Sequence, residues 1–184
     1  MEEKIKVIAL FGRSGCGKDT LQNYLLEHIC NSHKIINCTT RPIRDYEKDK
    51  IDYYFLTNKE FAEKINHGDM IEATIFNNWG YGTTIEALQE HKINIGVFNI
   101  ESINCLLEDN RLKIIPIYIT VDSKIALLRS LQREEHPDCK EICRRFLSDE
   151  KDFQNDNIDF DYLTYDNNNE QITIEKIIPI EWLK

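Results

Sequence analysis

A glycine-rich segment that ends in lysine constrains the fold of this chain more than any other feature. Residues 12–18 read G-R-S-G-C-G-K and match the pattern G-x-x-x-x-G-K. The apolar residues 4–11 before it predict a buried strand, and a helix starting near Lys18 is predicted by the helical spacing of Leu21, Leu25, Leu26 and Ile29. Glycines let successive backbone N–H groups turn inward around an anion, and the helix N-terminus adds partial positive charge. Strand, loop and helix together predict an α/β fold that binds phosphate groups.

The loop and the first turn of the following helix supply the candidate contacts to these phosphates. They are Gly12, Arg13, Ser14, Gly15, Cys16, Gly17, Lys18, Asp19 and Thr20. We expect Lys18 to reach the β- and γ-phosphates of a nucleotide. The pattern usually continues with a serine or threonine that binds Mg²⁺, but here Asp19 follows the lysine. Because a carboxylate is a good ligand for Mg²⁺, we expect Mg²⁺ as cofactor and Asp19 as its ligand, with the Thr20 hydroxyl as the alternative.

Strands and helices are predicted to alternate along the rest of the chain, which favours a five-stranded parallel sheet flanked by helices. The predicted strands are residues 35–40, 51–56, 70–75, 93–100, 114–119 and 162–165. The predicted helices are residues 59–65 with Thr57 as cap, 84–90, 102–108, 124–132 with a cap at 122–123, 140–153 and 169–177. Residues 77–82 are predicted as a turn-rich piece, and residues 41–83 as a small inserted sub-domain.

Charge and cysteine content narrow the class of partner. The net charge is −9, from 23 basic and 32 acidic residues, whereas proteins that bind polynucleotides usually carry a basic field. No apolar run approaches the roughly 18–20 residues of a membrane span, and the N-terminus does not resemble a secretory signal. The six cysteines form no C-x-x-C pair and are expected to be reduced. We therefore expect a cytoplasmic protein with small-molecule nucleotide partners, without nucleic acid polymer or membrane, as a monomer or homodimer.

Two further sets of segments resemble the guanylate kinase family. Residues 39–47 read T-T-R-P-I-R-D-Y-E, and residues 52–55 read D-Y-Y-F. Residues 71–72 read I-E, and residues 79–83 read W-G-Y-G-T. In this order they are similar to the family's T-T-R-x-x-R-x-x-E, D-Y-x-F, F-I-E and Y-G-T segments. Residues 127–133, 142–146 and 160–162 also look like the family, so the resemblance covers nearly the whole chain.

The resemblance implies a P-loop kinase fold in three parts. The core would be residues 1–40, 84–131 and 146–184, the nucleoside-monophosphate-binding sub-domain about 41–83, and the lid about 132–145. The implied reaction transfers the γ-phosphoryl group of ATP to GMP or dGMP.

The resemblance also assigns roles to individual residues. Arg41, Arg44, Tyr53 and Tyr81 would hold the acceptor's phosphate, with Asn37 at the position of a family serine. Glu72 would read the N1–H and N2–H₂ groups of guanine, with Thr83 beside it and Glu101 on the sugar–base side. The implied catalytic residues are Lys18, Arg41, Arg44 and the lid arginines Arg133, Arg144 and Arg145.

Departures from the family keep two alternatives open. Asn99 and Glu101 stand where the family has D-x-D, and Asp19 could supply the carboxylate that Asn99 lacks. A relative, ribose 1,5-bisphosphate phosphokinase, has a similar G-K-D and an asparagine on the central strand, but it needs no base pocket. The other alternative is a guanylate-kinase-like binding module without catalysis, which would be expected to lose phosphate-loop residues that this chain retains.

Overall fold

The computed structural model describes residues 4–76, 78–133, 135–153, 158–168, 177–179 and 182. The chain forms two compact units. Unit 1 comprises Met1–Ala9 and Asn31–Ile114, and unit 2 comprises Leu10–Cys30 and Ile115–Lys184. This division does not test the three-part arrangement of core, sub-domain and lid, which stays a prediction.

The prediction that strands and helices alternate throughout is wrong in part, because in the described residues some strands follow one another directly, as do two helices. The strands are β1 (Ile5–Phe11), β2 (Ser32–Lys34), β3 (Cys38–Thr39), β4 (Tyr54–Phe55), β5 (Met70–Phe76), β6 (Trp79–Thr84), β7 (Ile93–Val97), β8 (Leu112–Thr120) and β9 (Leu163–Asp166). The helices are α1 (Lys18–His28), α2 (Asn58–Asn66), α3 (Ile100–Glu108), α4 (Ser123–Gln132) and α5 (Cys139–Asp152), with a short 3₁₀ turn at Ile85–Ala87. No helix in the described part of the chain is both long and apolar enough to cross a membrane.

A five-stranded parallel sheet carries the phosphate-binding loop. Its strand order is β2-β7-β1-β8-β9. Ser32 pairs with Ile93 where β2 meets β7, and Ile117 pairs with Leu163 where β8 meets β9. The residues from Val7 to Phe11 in the central strand are fully buried, which explains the continuous apolar run in the sequence. The carboxyl end of that strand leads directly into residues 12–18.

A second sheet of four strands lies within unit 1, in the order β4-β3-β6-β5. Strands β5 and β6 are antiparallel and place Glu72 opposite Thr83. The prediction of turns at residues 77–82 is therefore wrong for β6. The glycines there serve close packing, since a Cβ on Gly80 would lie 2.8 Å from Cε1 of Phe61.

Of the strand predicted at residues 35–40, only Cys38–Thr39 forms a strand, so this prediction is largely wrong. Strand β2 ends at Lys34, and β3 begins at Cys38 in the other sheet. Asn37 lies at the change of sheet, where its side-chain Nδ2 donates to the carbonyl of Val97 at 2.8 Å and its own carbonyl accepts from the N–H of Tyr54 at 2.9 Å. These bonds satisfy the backbone where the regular ladder stops.

Helix caps agree with the sequence at two sites. Thr57 caps α2 in a reciprocal capping box with Glu60, and Asp122 caps α4 by accepting from two backbone N–H groups. The helix predicted at residues 84–90 is reduced to the 3₁₀ turn. The helix predicted at residues 169–177 falls almost wholly outside the described residues.

Candidate active site

The phosphate-binding loop in unit 2 has a backbone that requires glycine. Gly12, Gly15 and Gly17 have φ angles of 147°, 77° and 97°, which L side chains rarely adopt. Space is equally restrictive, because a Cβ on Gly15 would lie 2.3 Å from the carbonyl oxygen of Ala126. The predicted loop geometry over residues 12–18 is therefore present, followed at once by the N-terminus of α1.

Side chains from within and outside the loop fix its shape. Nζ of Lys18 donates to the carbonyls of Gly12 and Arg13, at 2.8 and 2.9 Å, which holds the ammonium group at the loop. Nδ2 of Asn167 donates to the carbonyl of Cys16 at 2.7 Å. The lysine charge and the loop are thus organised together before any ligand binds.

Two consecutive acidic residues of α5 contact two consecutive residues of the loop. The backbone N–H of Ser14 donates to Oδ2 of Asp149, a buried carboxylate. The guanidinium of Arg13 pairs with Glu150 and donates to the Ser123 hydroxyl. Burial raises the pKa of Asp149, although the bond from Ser14 opposes that shift. Sequence reasoning missed both acidic residues, because no local pattern connects them with a loop about 135 positions away.

Asp19 lies in the first turn of α1 and forms an ion pair with Arg133. Both side chains are largely exposed, as is Thr20. Within the described residues, no group of three or more acidic, histidine or cysteine side chains is arranged to hold a metal ion. Mg²⁺ in nucleotide kinases usually needs only one or two carboxylates because the substrate phosphates and water complete its coordination. A single carboxylate next to Lys18 fits that requirement.

The other two candidate lid arginines lie on α5 and share one acidic partner. Nε of Arg144 donates to Oε2 of Glu141 at 2.7 Å. Nε of Arg145 lies 3.4 Å from Oε1 of the same carboxylate. The backbone N–H of Glu141 also donates to Oδ1 of Asp138, the residue that caps α5, at 3.1 Å. The structure therefore places both arginines on the same helix as Asp149.

In unit 1, the predicted acceptor arginines are organised around Glu47. Arg41 is 5% exposed and donates to both carboxylate oxygens of Glu47, at 2.8 and 3.0 Å. The backbone N–H of Arg44 donates to Oε2 of the same carboxylate at 2.9 Å. The Arg44 side chain donates to the Tyr46 hydroxyl at 3.1 Å. Glu47 thus positions both arginines, a role that sequence reasoning did not assign although the residue lies in the quoted motif.

The Arg41–Glu47 pair keeps its charges despite burial. Burial lowers the pKa of Arg41 and raises that of Glu47. The hydrogen bonds and charge attraction between the two groups outweigh burial, so the pKa of Arg41 is raised and that of Glu47 is lowered. The pair is therefore neutral as a whole, and it fixes the orientation of the Arg41 guanidinium.

Aromatic rings line the same part of unit 1. The Arg41 guanidinium carbon lies 5.6 Å from the ring centroid of Tyr53 and 5.7 Å from that of Phe55. The Tyr53 and Tyr81 rings pack edge to face with centroids 6.3 Å apart. The structure thus brings together Arg41, Tyr53 and Tyr81, three of the residues expected to hold the acceptor's phosphate.

A buried carboxylate lies on β5. Glu72 is 4% exposed, and its Oε1 accepts from the Thr83 hydroxyl at 2.7 Å. Its second oxygen, Oε2, is buried and has no hydrogen-bond partner among the described residues. Burial raises the pKa of Glu72, and the hydroxyls of Thr83 and Ser102 oppose this shift. A buried acceptor without a donor is costly, which points to a ligand that supplies N–H or O–H groups.

The remaining substrate candidates surround the start of α3. Asn99 caps this helix by accepting from the N–H of Ser102 at 2.7 Å, and its Nδ2 donates to Thr74 at 3.2 Å. Glu101 lies exposed in the first turn. Asn99 therefore has a structural role as a cap, which an aspartate could also fill.

Each unit contains side chains or backbone groups suited to a phosphorylated ligand. Unit 2 offers an anion nest with a lysine ammonium, which suits a polyphosphate. Unit 1 offers oriented arginines with two phenols and a buried hydrogen-bond acceptor, which suit a phosphorylated ligand that carries N–H donors.

Comparison with known proteins agrees with this chemistry. The guanylate kinase family model matches residues 4–178. A guanylate kinase from Helicobacter hepaticus is 30% identical over 175 residues, covering 92% of this chain and 85% of that protein. One from Wolbachia sp. subsp. Brugia malayi is 30% identical over an alignment of 191 residues, covering 100% of this chain and 97% of that protein.

A solved structure agrees at the level of the fold. The crystal structure of guanylate kinase from Anaplasma phagocytophilum matches with a TM-score of 0.62 at 23% identity, covering 92% of this chain and 80% of that one. Because the family model extends over nearly all of the sequence and full-length relatives share 30% identity, the chain belongs to the guanylate kinase family.

Proposed function

We propose that this chain transfers the γ-phosphoryl group of ATP to GMP or dGMP, giving ADP and GDP or dGDP. The single observation that carries the choice of guanine is the buried Oε2 of Glu72, which lacks a donor within the described residues. Membership of the guanylate kinase family supports the same reaction.

Guanine supplies what Glu72 lacks. Its N1–H and N2–H₂ groups point in the same direction, so one carboxylate can accept from both. Adenine has no donor at N1 or C2 and would leave the buried carboxylate without a partner. A site of this kind rejects the wrong ligand strongly, because the unpaired buried group costs free energy that the ligand does not return.

We assign the acceptor's phosphate to Arg41 and Arg44, with Tyr53 and Tyr81 as neutral donors. The bidentate bond from Arg41 to Glu47 supports this assignment, because it fixes the plane of a guanidinium that would otherwise rotate. Phosphoryl transfer depends mainly on position and on cations around the transferred group, so a preoriented arginine is useful.

We assign the phosphates of ATP to residues 12–20, with Lys18 on the β- and γ-phosphates. Asp19 would hold Mg²⁺, which when bound neutralises charge that develops on the phosphates. Binding the metal would replace the ion pair of Asp19 with Arg133, and we assign Arg133 to the transferred group. Arg144 and Arg145 are the further candidates for that role from α5.

The compartment and partners follow from the same chemistry. All six cysteines are free thiols, two of them buried, which supports a reducing environment such as the cytoplasm. The partners that we propose are the small-molecule nucleotides.

An acceptor panel with ATP tests the function. The panel contains GMP, dGMP, AMP, CMP, UMP and ribose 1,5-bisphosphate, with ADP formation measured in a coupled assay. We expect turnover with the guanine nucleotides, and a loss in kcat/KM for GMP of roughly 10³-fold or more in Glu72→Gln, which presents a donor to guanine's donors. The exposed Glu63→Gln is the matched control and should behave like wild type. Phosphorylation of the sugar but not of GMP would contradict the proposal, and ADP formation with no acceptor at all would favour a protein without this kinase activity.

A further inference from the structure

A buried chain of hydrogen bonds leads from the backbone to Glu72. Nδ2 of Asn37 donates to the carbonyl of Val97 at 2.8 Å. Oδ1 of Asn37 lies 3.2 Å from the Thr83 hydroxyl, which lies 2.7 Å from Oε1 of Glu72. Asn37, Thr83 and Glu72 are 9%, 0% and 4% exposed. The orientation of the amide follows from the network, because turning it over would bring its oxygen against the Val97 carbonyl.

The Thr83 hydroxyl has one proton and two acceptors. When Glu72 is ionised, the hydroxyl donates to Oε1, and Oδ1 of Asn37 receives no proton from it. When Glu72 is protonated, the carboxyl O–H can donate to the Thr83 oxygen, and the hydroxyl then turns to Asn37. The network is therefore complete, from Glu72 to Val97, when Glu72 carries a proton.

We propose that Asn37 is a positioning residue for guanine recognition, which acts through Thr83 to favour the protonated form of Glu72 in the substrate-free protein and so couples guanine binding to release of that proton. The inference rests on the proposed function, since it assumes that Glu72 reads guanine. On binding, the proton leaves Glu72 for solvent, the Thr83 hydroxyl turns to Oε1, and guanine N–H groups donate to the ionised carboxylate.

In this role, Asn37 would not contact the acceptor's phosphate directly. Both polar atoms of its side chain lie within hydrogen-bond distance of groups on the base-reading side, namely the Val97 carbonyl and the Thr83 hydroxyl. An asparagine suits this position because it offers a donor and an acceptor in fixed opposite directions, which a single hydroxyl does not.

The charge environment of Glu72 is consistent with a neutral carboxyl. Burial raises the pKa of this group. The charge of Glu72 raises the pKa of two neighbouring thiols, Cys38 on β3 and Cys105 on α3. Lys64 of α2 lowers the pKa of Cys38, and the exposed Glu101 and Glu108 raise that of Cys105. Burial raises the pKa of Cys38 to about 11, so that thiol stays neutral near pH 7.

We predict opposite changes in the pKa of Glu72 for two substitutions of Asn37. Asn37→Ala removes the acceptor that favours the protonated form, so the pKa of Glu72 should fall. Asn37→Asp keeps an acceptor and adds negative charge, so the pKa of Glu72 should rise. A carboxyl ¹³C NMR titration of the substrate-free protein measures both, with Glu72→Gln identifying the resonance. We expect shifts equivalent to about a fivefold change in the proton affinity of Glu72, the effect of one hydrogen bond between neutral groups.

The kinetic form of the test uses KM for GMP between pH 5.5 and 8.5. At each pH, the KM of a variant is divided by the KM of wild type, so that the effect of titrating the GMP phosphate cancels. Protons compete with guanine for Glu72, so the ratio for Asn37→Ala should fall as the pH is lowered, and the ratio for Asn37→Asp should rise. The kcat ratios should show no such opposite trends.

The controls separate this inference from the proposed function and from misfolding. Asn37→Ser keeps a smaller hydroxyl acceptor and should shift the pKa of Glu72 in the same direction as alanine, but by less. If the pKa of Glu72 is unchanged in all three variants, or moves the same way in the alanine and aspartate variants, the inference is wrong. Because the NMR titration uses no nucleotide, it decides the role of Asn37 even if GMP proves not to be the acceptor.

Discussion

The most demanding prediction concerns the buried ion pair that orients Arg41. Glu47→Gln keeps the shape of the side chain and removes its charge. The Arg41 and Glu47 side chains are only 5% and 7% exposed, so solvent cannot replace the lost carboxylate. The variant therefore leaves a buried guanidinium that has lost its counter-charge and at least one of the bonds at 2.8 and 3.0 Å.

The size of the effect follows from that burial. Removing one partner of a buried pair costs about 3–5 kcal/mol of unfolding free energy, and glutamine retains one acceptor oxygen, so we expect about 3 kcal/mol. This is a large part of the 5–15 kcal/mol typical of a domain and should lower the urea midpoint by roughly 1–3 M. The contrasting variant is Glu63→Gln, whose partner Lys59 lies 3.8 Å away on an exposed helix face, where about 0.3–0.5 kcal/mol is expected.

Urea unfolding at several pH values, followed by circular dichroism, measures both variants. The pKa of Glu47 is lowered from its ordinary value of 4.5 in the folded protein. Its contribution to stability should therefore be fully present above pH 4.5 and be lost as the pH falls through the lowered folded-state pKa. The difference between wild type and Glu47→Gln should therefore shrink over that acidic range.

Adding inorganic phosphate to the unfolding experiment tests whether Arg41 binds a phosphate group. If Arg41 binds the acceptor's phosphate, inorganic phosphate should stabilise Glu47→Gln more than wild type, because the anion supplies the missing counter-charge. A Glu47→Gln variant within about 0.5 kcal/mol of wild type at pH 7 would refute the argument that burial makes this pair strong. Equal stabilisation of both proteins by phosphate would instead contradict the assignment of Arg41 to a phosphate.

Three further predictions concern the phosphate-binding loop. Gly15→Ala should abolish ATP turnover, since its Cβ would lie 2.3 Å from the Ala126 carbonyl oxygen, whereas Gly68→Ala, at a similar φ of 75° with no atom within 4 Å, should cost only about 1–2 kcal/mol of stability and leave activity intact. Lys18→Ala should lose roughly 10³-fold or more in kcat in the coupled assay, and near-normal turnover would end the kinase interpretation. Asp19→Asn should raise the Mg²⁺ concentration needed for half-maximal activity, and an unchanged Mg²⁺ dependence would exclude Asp19 as a metal ligand.

The sequence predicts best those elements that are determined by interactions between residues close together in the chain. The loop at residues 12–18 requires glycine by backbone angle, and Thr57 with Glu60 forms a cap within four residues, so both are recognisable without the fold. The buried strand β1 is equally clear, because an apolar run of that length has few other structures available. These are the places where the predicted and observed elements agree most closely.

The predictions fail where a distant partner decides the outcome. Gly80 suggests a turn in isolation, but in the fold it allows β6 to pass close to Phe61 of α2. Residues 35–40 resemble one strand, but only Cys38–Thr39 forms a strand, and the side chain of Asn37 bonds to the Val97 carbonyl where the chain leaves the first sheet for the second. Nothing within a short window encodes either contact.

In the candidate site, too, the sequence predicts some properties, whereas partners distant in the chain determine others. Motif residues such as Arg41 and Glu72 are recognisable by type and order, but what makes them effective comes from their partners. Glu47 turns Arg41 from a mobile surface cation into a fixed one. Thr83 binds one oxygen of Glu72, while the other oxygen is buried without a donor in the described part of the chain. A motif therefore predicts which ligand groups are recognised, whereas burial and the surrounding hydrogen bonds determine how strongly the wrong ligand is rejected.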